Sequence, residues 1–195
     1  MKVFLFIDGT NLYSAQYELF GPNKYLDFSK FIKEVEKKIK IKFNKIYFYA
    51  SYSPQSKNPT IKEKLYLKNE ALFYRSVKLT SNLFFFTGYR SKTSGKEKEV
   101  DVKLAVDMVD LAHLNKYDKT FLITGDADFM EALKVSQRIG KQVFVICMEN
   151  KIMYKSLLFF KTYIIRFTNN IINLFKIRKK PYSIFFNKRE MINQI

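Results

Sequence analysis

The chain is poor in the residues that carry thiol, redox and zinc chemistry. Its 195 residues include one cysteine, Cys147, one histidine, His113, and no tryptophan. These counts exclude a disulfide framework, a zinc cluster and nucleophilic chemistry built on a Cys/His pair. A low cysteine content also fits a reducing compartment, so we expect a cytoplasmic protein.

Acidic residues are few compared with basic ones. The sequence has 18 Asp and Glu against 35 Lys and Arg, which gives a formal net charge of +17. A positive field of this size attracts polyanions, because each neutralised phosphate releases condensed counterions. RNA or another nucleic acid is therefore the expected partner, with an anionic membrane surface as the alternative. The chain is also rich in Ile, Asn, Phe and Tyr, a pattern that a biased genome composition alone would produce.

No apolar run is long and uninterrupted enough to cross a membrane or direct secretion. The N-terminal run in MKVFLFIDG reaches Asp8 too early for the core of a signal peptide. The later run LLFFKTYIIRF is broken by Lys161 and Arg166. With 47% hydrophobic residues the composition is that of a globular protein without a membrane span.

Apolar runs rich in β-branched and aromatic residues alternate with longer helical patterns. The runs predict strands at VFLFI, KIYFYASY, SVKLT, LFFFT, TFLIT and QVFVIC, with amphipathic helices between most of them. This alternation predicts an α/β fold, a Rossmann-like three-layer sandwich with a mostly parallel central sheet flanked by helices. We expect one domain over residues 1–150. Residues 151–195 are expected to form a basic C-terminal extension that supplies a last helix or strand and a tail.

Carboxylates stand where two of the predicted strands end. Asp8 closes VFLFI, and Asp126 and Asp128 follow TFLIT. In parallel α/β sheets ligands bind beyond the carboxyl ends of the strands, so these side chains are expected to meet there. Bringing like charges together is unfavourable in free energy unless a cation is bound between them. Carboxylate oxygens are ligands that select Mg²⁺ or Mn²⁺. The alternative for each aspartate is an N-cap of the helix that follows it.

A fourth aspartate comes from the helix predicted in VDVKLAVDMVDLA. At about 100° per residue, Asp101 shares the apolar stripe that includes Met108, so the pattern predicts that Asp101 faces the sheet. Asp107 and Asp110 lie away from this stripe and are expected to be solvated. The alternative for Asp101 is a first-turn acid that is favoured by the helix dipole.

Further polar residues are candidates to contact the substrate. Asn11 follows Asp8 by one helical step, which suits it to hold a phosphate oxygen or a metal-bound water; otherwise it caps the helix. Thr124, at the end of its strand, can bond a metal-bound water or a carboxylate, or can be structural. Lys96 and Lys98 precede Asp101 and can meet substrate phosphates, or can be ordinary solvated loop charges.

Three segments together resemble a known family. FIDGTNL, KEKEVDVKLAVDMVDLA and ITGDADFMEALKVSQRIGKQVFVI are similar, in order and spacing, to the NYN-domain family, in its LabA-like branch, of PIN-like nucleases. The resemblance covers about residues 3–147 and leaves residues 150–195 outside it. It implies a Rossmann-type sheet, with acidic residues that bind a divalent metal, Mg²⁺ or Mn²⁺, for hydrolysis of phosphodiester bonds, usually of RNA. By position, the implied cluster consists of Asp8, Asp101, Asp126 and Asp128, with Asn11 beside it.

Two other functional interpretations compete with this one. FIDGT also resembles the DxDGT motif of haloacid dehalogenase phosphatases, but Phe6 stands where the nucleophilic aspartate must be, and phenylalanine cannot form an aspartyl-phosphate. The sequence therefore predicts a metal-dependent ribonuclease, with a non-catalytic nucleic-acid-binding or regulatory module of the same fold as the alternative. Proteins of this fold class often dimerise, so a homodimer is a possible form.

Overall fold

The computed structural model describes residues 1–21, 24–90, 97–167 and 175–177. Its strands are β1 Val3–Asp8, β2 Lys45–Ala50, β3 Leu83–Thr87, β4 Tyr89–Arg90, β5 Glu97–Lys98, β6 Lys119–Ile123, β7 Gln142–Met148, β8 Lys161–Phe167 and β9 Phe175–Ile177. Its helices are α1 Gly9–Phe20, α2 Phe28–Ile39, α3 Ile61–Lys78, α4 Val100–His113, α5 Met130–Arg138 and α6 Ser156–Phe159. A short 3-10 turn, Ala127–Phe129, leads into α5.

The central sheet has the order β3-β2-β1-β6-β7-β8-β9. Its first six strands are parallel, and β9 pairs antiparallel with β8. Strands β4 and β5 form a separate antiparallel pair. The chain builds outward from β1 in one direction and from β6 in the other, so the topological switch point lies between these two strands. Ligands of doubly wound sheets bind at the carboxyl side of that point.

Helices cover both faces of the sheet, which confirms the predicted three-layer sandwich. One core layer packs α1, α2 and α3 against the sheet, with Leu12, Phe31 and Phe73 fully shielded from solvent. The other packs α4 and α5, through Leu104 and Leu133. Side chains alternate between these layers along each strand.

Two local predictions have different outcomes. The prediction of a strand at SVKLT is wrong, because residues 76–78 are the last turn of α3. Val77 is buried four residues after Phe73, which is the spacing of a helix and not of a strand. Gly140, predicted as the stop of the following helix, has a φ of +89°, the left-handed conformation that glycine adopts at helix ends.

The sheet continues beyond residue 150. Strand β8 lies beside β7 and pairs Phe144 with Lys161 and Met148 with Ile165. The segment predicted to be too charged for a membrane span is thus largely this strand. Across the described ranges, no helix combines the length and the apolarity that a membrane crossing requires.

Candidate active site at the carboxyl edge of the sheet

Asp8 is the centre of a buried polar group at the switch point. It is the last residue of β1 and is only 5% exposed. Its Oδ1 accepts a hydrogen bond from the backbone N–H of Asn11 at 3.0 Å, so the carboxylate is the N-cap of α1. Its Oδ2 accepts a hydrogen bond from the hydroxyl of Thr124 at 2.9 Å. Asp8 therefore caps α1 and also lies at the carboxyl edge of the sheet, so the two alternatives for this residue both hold.

Hydrogen bonds tie the turn after β6 to the end of β1. The Thr124 hydroxyl that donates to Asp8 also accepts from the N–H of Asp126 at 3.0 Å. The side-chain oxygen of Asn11 accepts from the N–H of Gly125 at 3.0 Å. Asp126 in turn caps the 3-10 turn, since its Oδ1 accepts from the N–H of Asp128 at 2.9 Å. The predicted residues Asp8, Asn11, Thr124 and Asp126 thus form one connected network.

Two glycines allow this close approach of chain segments. A Cβ at Gly9 would lie 2.8 Å from the carbonyl oxygen of Tyr49 and would overlap the ring of Phe48. A Cβ at Gly125 would lie 2.5 Å from the carbonyl oxygen of Lys151. Both distances are shorter than side chains tolerate, so the DG and GD pairs of the sequence mark positions where the backbone itself is packed.

The surroundings of Asp8 oppose its ionisation. Burial raises the pKa of the Asp8 carboxyl to about 7, and the nearby negative charges of Asp101 and Asp126 act in the same direction. The hydrogen bonds from Asn11 and Thr124 lower the pKa of Asp8, but by less than burial raises it. A cation at this edge would favour the charged carboxylate.

The prediction for the orientation of Asp101 is wrong. Asp101 is exposed, and the buried stripe of α4 consists of Val100, Leu104, Met108 and Ala112. The stripe begins one residue earlier than predicted, and one residue turns a side chain by about 100° around the helix. Asp101 nevertheless lies close enough to Asp8 for its charge to act on that carboxyl.

Asp107 is also placed differently from the prediction. It was expected to be solvated, but its side chain is only 18% exposed. Its Oδ2 accepts a hydrogen bond from the hydroxyl of Tyr49 at 2.8 Å, and Lys103 forms an ion pair with its other oxygen. Tyr49 is the β2 neighbour of Asp8 in the sheet register, so this pair borders the site. Asp110 is exposed, as expected.

The remaining predicted residues lie at the periphery or beyond the description. Asp128 is exposed in the 3-10 turn and joins the network through its backbone N–H. Lys96 lies outside the described residues. Lys98 belongs to β5, where its backbone pairs with Tyr89, but its side chain is outside the description.

The donors at this edge are oxygens of carboxylate, amide and hydroxyl groups, which are ligands that Mg²⁺ and Mn²⁺ accept. The carboxylates are loosely gathered rather than closed into a coordination shell. In the part of the chain with described side chains, no three Asp, Glu, His or Cys residues stand close enough together to hold a metal ion as they are. A bound cation would therefore require the exposed Asp101 and the half-buried Asp126 to turn toward Asp8.

Relatives of the chain are recognised by sequence family and by fold. Residues 2–166 match the NYN domain family. No curated protein matches the sequence. A crystal structure of a protein of unknown function from Vibrio parahaemolyticus is similar to this fold, with a TM-score of 0.58 and 16% identity over 84% of this chain and 91% of that chain. At this identity the likeness shows the fold alone. The family match spans most of the 195 residues, and the chain belongs to the NYN domain family.

Proposed function

We propose that this protein is a metal-dependent ribonuclease of the LabA-like NYN branch that hydrolyses RNA phosphodiester bonds with Mg²⁺ or Mn²⁺. The observation that carries the proposal is the buried carboxylate of Asp8 at the switch point of a nuclease-like fold, with the charges of Asp101 and Asp126 beside it. The formal net charge of +17 supports a polyanionic substrate.

The chain's own residues suit a divalent cation by chemistry and charge. Each oxygen of Asp8 accepts one protein hydrogen bond, which leaves a second lone-pair direction for a ligand. Asp101 and Asp126 would complete the set by turning their side chains toward Asp8, with Asp128 as a further ligand from the exposed turn. A bound cation would lower the pKa of a water that attacks phosphorus and would stabilise the leaving oxygen.

Neighbouring residues would position these groups and the substrate. Thr124 holds Asp8 and the Asp126 backbone together, so its role is to orient the carboxylates. The amide oxygen of Asn11 is occupied by the Gly125 N–H, which directs the amide NH₂ group to serve as a donor to a phosphate oxygen. Lys96 and Lys98 precede the helix of Asp101 and would contact substrate phosphates.

Charge-neutralising substitutions at the site test the proposal. We expect Asp8→Asn and Asp126→Asn each to lower the rate of RNA cleavage in Mg²⁺ or Mn²⁺ by roughly 100-fold or more, the size seen when one charge-stabilising group is removed. RNA binding should persist, because the basic surface is unchanged. Asp110→Asn is the matched control, since it removes an equally negative but exposed carboxylate of α4. Equal activity of Asp8→Asn and Asp110→Asn would contradict the assignment.

One observation favours a second candidate, a non-catalytic nucleic-acid-binding or regulatory module. The carboxylates whose side chains are described are not preassembled into a metal site. This candidate expects the purified protein to bind RNA but to leave single-stranded and structured RNA intact in both Mg²⁺ and Mn²⁺. Cleavage that disappears with Asp8→Asn would exclude it.

A further inference from the structure

A lysine-lined groove lies at the edge of the sheet opposite the aspartates. Lys33 and Lys37 of α2, together with Lys40 and Lys42 of the segment that follows it, border a groove of about 380 Å³. Glu36 and Ile41 complete its lining. We call this feature the lysine groove.

Hydrogen bonds fix where the lysine groove stands relative to the site. Two residues after Lys42, the N–H of Asn44 donates to the carbonyl oxygen of Val3 at 2.8 Å, and the side-chain oxygen of Asn44 accepts from the N–H of Val3 at 2.7 Å. Val3 is the first residue of β1 and Asp8 is the last. At roughly 3.3 Å per residue, the strand separates the two edges by about 17 Å.

Carboxylates neutralise the positive charge of the lysine groove only in part. Lys37 pairs with Glu34 at 3.7 Å, and one carboxylate oxygen of Glu36 accepts the backbone N–H of Phe43 at 2.8 Å. Within the described ranges, the structure gives Lys33, Lys40 and Lys42 no ion-pair partner. A groove lined by four lysines and one glutamate keeps a net positive charge, which favours a bound polyanion.

The backbone at Lys40 is unusual for a lysine. This residue caps the C-terminus of α2 in the left-handed conformation, with a φ of 58°. Glycine or asparagine normally occupies this position, because a side chain with a Cβ is disfavoured there. Lysine at this position adds a charge to the groove despite a conformational cost.

An aromatic groove lies at the same edge, on the opposite face of the sheet from α2. Lys42 lines the lysine groove and Asn44, two residues later, lines this second groove. A second groove, of about 310 Å³, is lined among others by Asn44, Lys45, Tyr47, Asn82 and Phe84. The Phe84 ring is 50% exposed and lies 5.8 Å from the ring of Tyr47. Basic side chains next to an exposed aromatic ring are the combination that holds single-stranded nucleic acid, since phosphates contact the cations and bases stack on the ring.

We propose that this amino edge of the sheet is a second binding surface for single-stranded RNA, remote from the cleavage site. The lysine groove would hold backbone phosphates, and Phe84 would stack a base. The inference rests on the proposed function in taking RNA as the substrate. Asparagine amides beside Phe84 can hydrogen-bond base edges, which favours RNA over an anionic membrane.

A pair of charge-matched variants tests this surface. Lys33→Gln, Lys37→Gln, Lys40→Gln and Lys42→Gln are combined in one protein. The control combines Lys24→Gln, Lys64→Gln, Lys68→Gln and Lys155→Gln, four exposed lysines that do not line either groove. Affinity for a labelled 20-nucleotide single-stranded RNA is measured by fluorescence anisotropy over a range of salt concentrations. The measurement uses the full chain carrying Asp8→Asn, so that the probe is not cut.

We expect the groove variant to bind the RNA at least 10-fold more weakly and the control to change less than 3-fold. At about 0.7 per phosphate contact on a single strand, the slope of log affinity against log salt should fall by about 3 in the groove variant. Phe84→Ser, which leaves the charge unchanged, should weaken binding at least 5-fold without changing the salt slope. Thermal unfolding of each variant confirms that the fold is retained.

Other results would overturn the proposal. Equal weakening in both lysine variants would mean that net charge alone binds RNA. Loss of binding to phosphatidylserine vesicles with unchanged RNA affinity would assign the surface to membranes. In protein that keeps the native Asp8, single-turnover cleavage at saturating RNA should stay within about 2-fold for the groove variant, and a larger loss would mean that these lysines act at the cleavage site. Absence of cleavage by the wild-type protein would refute the ribonuclease while leaving the binding result for the groove intact.

Discussion

The two edges of the sheet differ in how they are built. At the carboxyl edge Asp8 is buried, and hydrogen bonds from Asn11 and Thr124 fix its orientation. At the amino edge Lys33, Lys40 and Lys42 are exposed to solvent. Single substitutions at the first edge should therefore change stability and chemistry together. At the second edge, substitutions should change RNA affinity with little effect on stability.

The largest effect is expected where the backbone itself is packed. Gly9→Ala places a methyl group against the carbonyl of Tyr49 and the ring of Phe48, so we expect a loss of about 3 kcal/mol in the free energy of unfolding. Urea denaturation measures this loss. Ala127→Ser, an exposed position in the turn after β6, is the control and should change stability by less than about 0.5 kcal/mol. A similar stability for both variants would contradict the packing described at this edge.

The next effect concerns pH. The Asp8 carboxyl has a pKa of about 7 in the folded protein and 3.8 as a free side chain, so the folded state binds the proton more tightly. Its contribution to stability is complete below pH 3.8 and is lost as the pH rises through about 7. Without divalent cations, we expect Asp8→Asn to be about 2 kcal/mol more stable than the wild-type protein at pH 8 and to lose this pH dependence. Parallel stability curves from pH 4 to 8 would contradict the burial of this charge.

A smaller effect is expected at Thr124. Thr124→Val keeps the shape but removes the hydroxyl that joins Asp8 to the Asp126 N–H, and we expect a loss of about 1–2 kcal/mol together with reduced RNA cleavage. Thr124→Ser restores the hydroxyl and should recover most of the cleavage rate. If serine fails to restore activity and valine retains it, the hydroxyl does not orient the carboxylates.

The smallest effect is expected at the amino edge. The combined substitution of Lys33, Lys37, Lys40 and Lys42 by glutamine should change the free energy of unfolding by less than about 0.5 kcal/mol. The change should be a gain at low salt, because repulsion among the lysines is relieved, and should vanish at 1 M salt. A loss of more than about 1 kcal/mol would mean that these lysines support the fold.

Local sequence was sufficient for the features that depend on neighbouring residues. The strand that ends at Asp8, the strand that ends just before Thr124 and the turn capped by Asp126 follow from short apolar runs that stop on polar residues. The capping alternatives were also correct, because an N-cap depends on residues only two or three positions away, as at Asp8 and Asp126.

Local sequence was insufficient for the features that depend on packing between distant segments of the chain. The rotation of α4 depends on which side chains fit the sheet, and a shift of one residue moved Asp101 from the predicted buried face to an exposed position. The contact between Tyr49 and Asp107 joins residues 58 positions apart, and nothing in either segment indicates it. The sequence did carry one signal that Asp107 is not simply solvated. Lys103 lies four residues before Asp107, and residues four apart on a helix form ion pairs.

We propose that Asp8, Asp101 and Asp126 together hold a divalent cation. Crystals of the wild-type protein soaked in Mn²⁺ test it directly through anomalous scattering. We predict a peak within coordination distance of the Asp8 carboxylate and of at least one of the other two, and no such peak in crystals of Asp8→Asn. Mn²⁺ bound elsewhere in the wild-type crystals, with none at Asp8, would contradict the claim.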